Sequence, residues 1–219
     1  MRRPEAGQSV AEISVMVFVL MVLAGSLLPV MGDSIASARV ARARNDATRI
    51  AAALANLRRD VGRLRPAATA AELDPFRGGV AELDLLASSA PLPAVAGHVP
   101  GEPVPAGARQ SPLQPWRSPL RIDLLETQLR TNGPGYPASV NGAGSGWNGP
   151  YLPAALSSDP WGHAFLVNAG FLQRDLEGLC RDCAVFVLSA GPNGFVETPF
   201  AQPVSTARAF GDDIVIRIQ

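Results

Sequence analysis

The sequence predicts an α+β fold in which one long N-terminal helix packs on a small antiparallel β-sheet. An uncharged run extends from Ile13 to Gly32, and after it apolar residues recur at spacings of three and four as far as Leu64. The last third of the chain instead contains short runs of β-branched and aromatic residues, each bounded by turn formers. The first pattern indicates a long helix and the second indicates strands.

The first half of the predicted helix, residues 8–32, has the length and composition of a membrane-spanning segment. The run from Ile13 to Gly32, at about 1.5 Å per residue, covers the roughly 30 Å of a bilayer's hydrocarbon core. Glu12 lies at the edge of this run, where a carboxylate is costly unless it meets a cation. Two interpretations stay open: Glu12 pairs with a free amino group of a neighbouring subunit, or it lies among the lipid headgroups of an ordinary anchor.

The second half of the helix, residues 33–65, is predicted to be amphipathic. Its arginines lie mostly away from one apolar face, which comprises Val40, Ala43, Ala47, Ile50, Leu54, Leu57, Val61 and Leu64. Pro29 is expected to remove one intrahelical hydrogen bond and to bend the first half of the helix. Gly62 and Pro66 are expected to end the helix.

Residues 66–145 are predicted to be a Pro/Gly-rich insertion with short helices. Fifteen of the twenty prolines lie between Pro66 and Pro160, which disfavours long regular elements. Short helices are predicted at 80–87 and at 120–129. The prolines at 91–115 predict an extended surface loop.

Residues 146–219 are predicted to form the sheet. Strands are predicted at 163–168, 183–188 and 214–218. Three strands suit a small antiparallel sheet whose apolar face needs a cover, and the helix offers one in Ile50, Leu54, Leu57 and Val61. The expected result is an α+β roll.

Ahead of the apolar run stands the motif Gly7-Gln8-Ser9-Val10-Ala11-Glu12. This motif resembles the prepilin leader of type IV pilins and type II secretion pseudopilins. The resemblance implies that residues 1–7 are a leader, that a prepilin peptidase cuts after Gly7, and that the new amino terminus at Gln8 is methylated. It also implies that Glu12 pairs with the freed amine of the next subunit and that Pro29 matches a proline of the family. Gln8 stands where the family usually has phenylalanine.

Further along the chain stand Gly146-Trp147-Asn148-Gly149-Pro150-Tyr151-Leu152 and then Asp159-Pro160-Trp161-Gly162. These turn formers and aromatic residues resemble two signatures of the major type II secretion pseudopilin. The resemblance implies a pilin-like roll and no catalysis: the chain would be a structural subunit of the pseudopilus, a helical filament that drives export of folded proteins across the outer membrane. Self-assembly, other pseudopilins and an inner-membrane assembly platform are the partners it implies.

The same resemblance predicts where the protein resides. It implies a single-pass protein of the bacterial inner membrane, surrounded by lipid before extraction, with its C-terminal bulk in the periplasm. Filament assembly would then give a periplasmic pseudopilus, with residues 8–32 in the filament core. Two alternatives remain: a type IV pilin or minor pseudopilin with an adhesive, motility or tip role, and a membrane-anchored redox or calcium-dependent enzyme using Cys180 and Cys183.

The C-terminal part contains Leu188-Ser189-Ala190-Gly191-Pro192-Asn193-Gly194 and later Gly211-Asp212-Asp213-Ile214. These turns resemble the calcium loop of the same family. The resemblance implies that the Leu188 carbonyl and the side chains of Asn193, Asp212 and Asp213 bind one calcium ion, which takes roughly six to eight oxygen ligands. Asn193 stands where aspartate is commoner, and the intervening stretch 195–210 is long.

Composition and cysteine spacing disfavour other classes of protein. The net charge is zero and the arginines are dispersed without an aromatic platform, which disfavours nucleic-acid binding. Cys180 and Cys183 are the only cysteines, so they cannot complete a four-ligand zinc site unaided. They precede a predicted strand, unlike a thioredoxin-type pair. In the oxidising periplasm that the resemblance implies, they are expected to form a disulfide.

Overall fold

A computed structural model describes the following residues of the chain: 9–62, 64–65, 67, 85–101, 112–117, 122–138, 146–154, 158–172 and 182–218. Side chains are described for all of them except 24–31, for which only the helical backbone is described. The chain divides into two compact units, Met1–Arg39 and Val40–Gln219. The sheet, the aromatic motifs and the carboxylates discussed below all lie in the second unit.

Helix α1 runs from Val10 to Val61, in agreement with the long helix that the apolar periodicity predicts. Ser9 stands at its N-terminus, where its hydroxyl accepts a hydrogen bond from the Ala11 N–H at 3.2 Å. Gly62 ends it: its N–H donates to the Arg58 carbonyl at 2.8 Å, and its φ of 74° is one that favours glycine. The predicted stop at Gly62 is therefore confirmed.

The first part of α1 is where the sequence predicts a membrane-spanning segment. Among the described residues, no helix combines the length and the apolar character that crossing a membrane requires. This finding overturns the spanning segment predicted at 8–32 and the single-pass inner-membrane localisation, with a periplasmic bulk, that depended on it.

The sheet is mixed, so the predicted antiparallel sheet is wrong. The strands are β1 Leu85–Ala87, β2 Ala94–Val95, β3 Ile122–Leu124, β4 Leu166–Val167, β5 Phe186–Ser189, β6 Phe195–Val196 and β7 Ile214–Arg217. Five of them pair in the order β3-β1-β4-β5-β7, and a separate two-stranded sheet joins β2 to β6 in parallel. Within the larger sheet β1 and β3 are parallel, whereas the other three pairings are antiparallel.

The segment 66–145 contributes strands to this sheet, which the sequence did not predict. The helix predicted at 80–87 is wrong where the structure describes it, because β1 occupies its last three residues and buries all of them. The helix predicted at 120–129 is correct only in its second half: β3 comes first and is followed by α2, Leu125–Leu129. Burial between strands outweighs the local helical pattern at both places.

The loop predicted at 91–115 also contains regular structure in its described parts. Strand β2 lies within it, and the short helix Gln114–Arg117 begins at its end. Trp116 of this helix is buried, and its indole N–H donates to the Thr198 carbonyl at 2.8 Å. This segment therefore packs on the sheet instead of standing away from it.

Both faces of the five-stranded sheet are covered. Alternate residues of β5 point to opposite faces, as the pleat requires: Val187 belongs to one buried cluster and Phe186 to the other. The first cluster includes the predicted stripe of α1, with Ala47, Ile50, Leu54 and Leu57 fully buried. The second cluster is closed by Leu113, Trp116, Phe200 and Phe210 from the connecting segments. The helical cover predicted for the sheet is confirmed.

Replacing Leu54 tests this packing. Leu54→Ala is expected to lower the free energy of unfolding by about 2–5 kcal/mol, because it leaves a cavity between the helix and the sheet. Urea unfolding followed by circular dichroism measures the change. Leu92 is 52% exposed, so Leu92→Ala serves as the matched control and is expected to change stability by less than about 0.5 kcal/mol. Equal losses in the two variants would contradict the packing described for α1.

Candidate functional site

The residues proposed for processing and assembly lie near the start of the chain. Gly7 and Gln8 fall outside the described residues. Glu12 lies in the first turn of α1, where its side chain is exposed and its negative charge is favourable for the helix dipole. Pro29 lies within α1, but its side chain is outside the described set.

The turn after β5 brings two predicted calcium ligands together. Gly191 and Gly194 have φ values of 64° and 71°, which suit glycine. A side chain on Gly191 would overlap the backbone of Asp212, so the turn lies directly against that residue. The backbone N–H of Asn193 donates to the Asp212 Oδ2 at 2.9 Å. Asn193 and Asp212, which are 19 positions apart, are thus in direct contact.

Asp213 is buried beside them. Its Oδ2 accepts hydrogen bonds from the backbone N–H of Glu197 at 2.9 Å and from that of Thr198 at 2.7 Å. Burial raises the pKa of Asp213 to about 6, although these two hydrogen bonds act in the opposite direction. The Oδ1 atoms of Asp212 and Asp213 are buried and accept no hydrogen bond within the described structure. Two carboxylate oxygens therefore lack a partner in the same turn.

Glu197 joins this cluster, although no sequence motif pointed to it. Its Oε2 accepts from the Asn193 Nδ2 at 3.2 Å and lies 3.4 Å from the Asp212 N–H that donates to it. A side chain on Gly211 would overlap this carboxylate. The signal that would have found Glu197 is simple: it is the only acid between Asn193 and Asp212 in the sequence.

The donor set fits calcium, which prefers carboxylate, amide and carbonyl oxygens. Two unpartnered carboxylate oxygens and two glycines that leave room for their neighbours give the fit a structural basis. Leu188, whose carbonyl is the predicted backbone ligand, is buried in β5 opposite Val215. Its position is therefore set by the pairing of β5 with β7. Over the described ranges, no three His, Cys, Asp or Glu side chains are already gathered around one metal position.

The Asp-Pro-Trp-Gly turn is held by Asp159 and leads to the same region. Asp159 is buried and accepts hydrogen bonds from the backbone N–H groups of Trp161 at 3.0 Å and His163 at 2.9 Å. Its other oxygen accepts from the Ser189 hydroxyl at 2.7 Å. The ring of His163 lies against Gly194. This motif therefore supports the turn that carries Asn193.

The Gly-Trp motif holds the C-terminal end of α1. The Tyr151 hydroxyl donates to the Asp60 Oδ2 at 2.7 Å, and the Gly146 N–H donates to the Asp60 carbonyl at 2.6 Å. Trp147 packs edge-on against Tyr151, with ring centroids 4.9 Å apart, and stacks on Tyr136 at 6.3 Å. These contacts satisfy groups at the helix end and fix the irregular backbone of the motif.

A hydrogen-bond network continues from Tyr136. Its hydroxyl accepts from the Arg65 N–H at 2.7 Å and donates to the Gln128 Oε1 at 3.0 Å. Burial raises the pKa of Tyr136 to about 12. Desolvation likewise raises the pKa of Tyr151 to about 12, and the neighbouring Asp60 carboxylate adds to the rise.

Cys183 is disulfide-bonded. The only other cysteine of the chain, Cys180, lies outside the described residues. Backbone hydrogen bonds on either side of Cys183 join it to the segment after β6: the Ala184 N–H donates to the Gln202 carbonyl and the Val204 N–H to the Asp182 carbonyl, each at 2.9 Å.

Comparison with known proteins finds no family model, curated protein or solved structure that matches this chain.

The raised pKa values of Tyr136 and Tyr151 predict how the stability of the fold changes at alkaline pH. Between about pH 10 and pH 12 the free energy of unfolding is expected to fall, because the two tyrosines ionise in the unfolded chain before they do so in the folded one. For Tyr136 the loss is on the order of 3 kcal/mol, at about 1.36 kcal/mol per pH unit. The chain has no lysine, so few other groups titrate in this range.

Tyr136→Phe isolates this effect. The variant is expected to be less stable than wild type near neutral pH, because it loses the hydrogen bonds of the hydroxyl. It is also expected to lose less stability between about pH 10 and pH 12. Urea unfolding at a series of pH values measures both changes. An alkaline slope as steep as that of wild type would contradict the role given to Tyr136.

Proposed function

We propose that this chain is a structural subunit of a type II secretion pseudopilus, the filament whose growth drives export of folded proteins across the outer membrane. In this proposal the subunit catalyses no reaction and acts by assembling. The observation that carries it is the apolar first part of α1. Its large apolar side chains between Val10 and Leu23 are all between 43% and 81% exposed.

This surface needs a cover. Successive helical residues are about 100° apart, so an unbroken apolar stretch exposes such side chains on every side of the helix. A contiguous apolar surface of this kind marks an interaction site. The same helices of neighbouring copies offer matching apolar surfaces, and side-by-side packing would bury them. A repeated contact between unlike surfaces, if it does not close into a ring, produces an open helical filament.

Glu12 gives the assembly its register in this proposal. It is the only charged residue among residues 9–23, and its side chain is exposed. Once apolar helices surround it, its charge needs a cation. The amine at Gln8, freed by a prepilin peptidase that cuts after Gly7, would be that cation on the next subunit. Other pseudopilins and an assembly platform are the further partners that the leader motif suggests.

Two motifs of the second compact unit support a pseudopilin of the major type. The Gly-Trp and Asp-Pro-Trp-Gly motifs resemble signatures of the major pseudopilin. This resemblance favours the major pseudopilin over an ordinary type IV pilin. Their side chains hold the end of α1 through Asp60 and the turn after β5 through Ser189. Such contacts suit a filament subunit in which the sheet and its turns must stay attached to α1 while the filament grows.

We further propose one calcium ion at Asn193, Asp212 and Asp213, with the Leu188 carbonyl as the backbone ligand that the resemblance suggests. A bound calcium ion would neutralise the carboxylates of Asp212 and Asp213 and join the turn after β5 to the turn before β7. The two Oδ1 atoms without partners support this proposal. Asp159 and Ser189 would position the turn without contacting the ion.

Glu12→Gln tests the assembly proposal. The substitution removes the charge and keeps the size of the side chain, so filament formation and protein export are expected to fail together. Removing one partner of a buried ion pair costs about 3–5 kcal/mol. Sedimentation of filaments, electron microscopy and the amount of secreted protein measure the outcome.

Asp33→Asn is the matched control for this experiment. Asp33 is an exposed carboxylate on the same helix, so its neutralisation is expected to leave filaments and export at the level of wild type. Normal filaments and normal export in Glu12→Gln would refute the role proposed for Glu12.

Calcium binding is tested by thermal unfolding with calcium and with a chelator. A ligand at about a hundred times its Kd stabilises by about 2.7 kcal/mol, so calcium is expected to raise the Tm of wild type. The double variant Asp212→Asn with Asp213→Asn is expected to lose this rise. Magnesium is the control ion, since it demands a smaller octahedral site. If calcium does not change the Tm of wild type, the proposed calcium site is refuted.

A further inference from the structure

We propose that Glu197 is a third carboxylate ligand of the calcium site and supplies the negative charge that Asn193 lacks. This inference rests on the calcium site proposed above. Glu197 directly follows β6 and is the only acid between Asn193 and Asp212. It therefore comes from the long stretch that separates the two halves of the site.

The backbone of Glu197 is held against one of the proposed ligands. Its N–H and the N–H of Thr198 both donate to the Asp213 Oδ2, at 2.9 and 2.7 Å. Asp213 is 6% exposed, so these hydrogen bonds are shielded from water. Since one oxygen of Asp213 fixes this backbone, the other oxygen is left for a ligand.

The side chain of Glu197 reaches both halves of the site. Its Oε2 accepts from the Asn193 Nδ2 at 3.2 Å and from the Asp212 N–H at 3.4 Å. Gly211 provides the space for this approach, because any side chain at that position would overlap the carboxylate. Gly211 also has a φ of 59°, so glycine is favoured there for two independent reasons.

Within the described part of the chain, none of the three carboxylates of this cluster forms an ion pair. The ion pairs of the described residues lie elsewhere, on α1 and α2, and join Asp46 to Arg42 and Arg49, and Glu126 to Arg130. Glu197, Asp212 and Asp213 are linked by shared hydrogen bonds, yet two of their oxygens are buried without a partner. Buried carboxylates are costly unless they are paired or bind a metal ion. A divalent cation between them removes this cost.

Besides its place among the proposed ligands, Asn193 orients the side chain of Glu197. Its Oδ1 accepts from the Phe195 N–H at 2.7 Å, and its Nδ2 donates to Glu197. The amide thus orients the carboxylate of Glu197 instead of contributing a charge of its own. The number of charged ligands tunes calcium affinity. The carboxylate of Glu197 therefore supplies the negative charge that is missing at position 193, where the chain has asparagine instead of aspartate.

Calorimetric titration of the full chain with calcium tests the assignment. Glu197→Gln is expected to raise the Kd at least tenfold, because one charged ligand is lost. Asp182 is an exposed carboxylate of the same compact unit, so Asp182→Asn is the matched control and is expected to leave the Kd unchanged. With a chelator present, Glu197→Gln is expected to unfold at the same temperature as wild type or higher, since repulsion within the cluster is reduced.

The possible results separate the two proposals. If wild type binds no calcium, both the site and the role of Glu197 are refuted. If wild type binds calcium and Glu197→Gln has the same Kd, the role of Glu197 is refuted and the site stands. A purely structural Glu197 would lower the Tm in chelator and leave the Kd unchanged. If Glu197→Gln does not fold, Glu197→Asp replaces it: the shorter acid is expected to weaken calcium binding, and an unchanged Kd refutes the assignment.

Discussion

The packing of one helical stripe against the sheet is the interaction on which the second unit depends. Ile50, Leu54 and Leu57 are fully buried in the same cluster as Val167 and Val187 of the sheet. The strands are only two to four residues long, and strands this short are not stable by themselves. The helix supplies the apolar surface that holds them together, so the turns that carry the candidate site are positioned only when this contact forms.

The contacts of Asp60 show how the Gly-Trp motif is joined to the C-terminal end of α1. Its carbonyl and its carboxylate both accept hydrogen bonds from the Gly-Trp motif, through Gly146 and Tyr151. A helix ends with carbonyl groups that lack partners within the helix, and here a turn from far along the sequence satisfies one of them.

Much of the fold was predictable because its signals are local. The stripe of α1 and the stop at Gly62 follow from apolar spacing and from the conformational freedom of glycine. Strands were expected at 183–188 and 214–218 for the same kind of reason, and β5 and β7 overlap these two ranges. The helix predicted at 80–87 failed because β1 is buried on both sides of the sheet, between β3 and β4, and no local pattern records that burial. The predicted membrane span also failed within the described residues.

The sequence by itself determined the long helix and the approximate places of the C-terminal strands. Only the tertiary structure decided the mixed order of the sheet, in which Leu86 lies opposite Val167, and the entry of Glu197 into the carboxylate cluster. The reason is physical: helical and strand periodicity are properties of neighbouring residues, whereas strand order and carboxylate clustering depend on which distant segments share a buried surface.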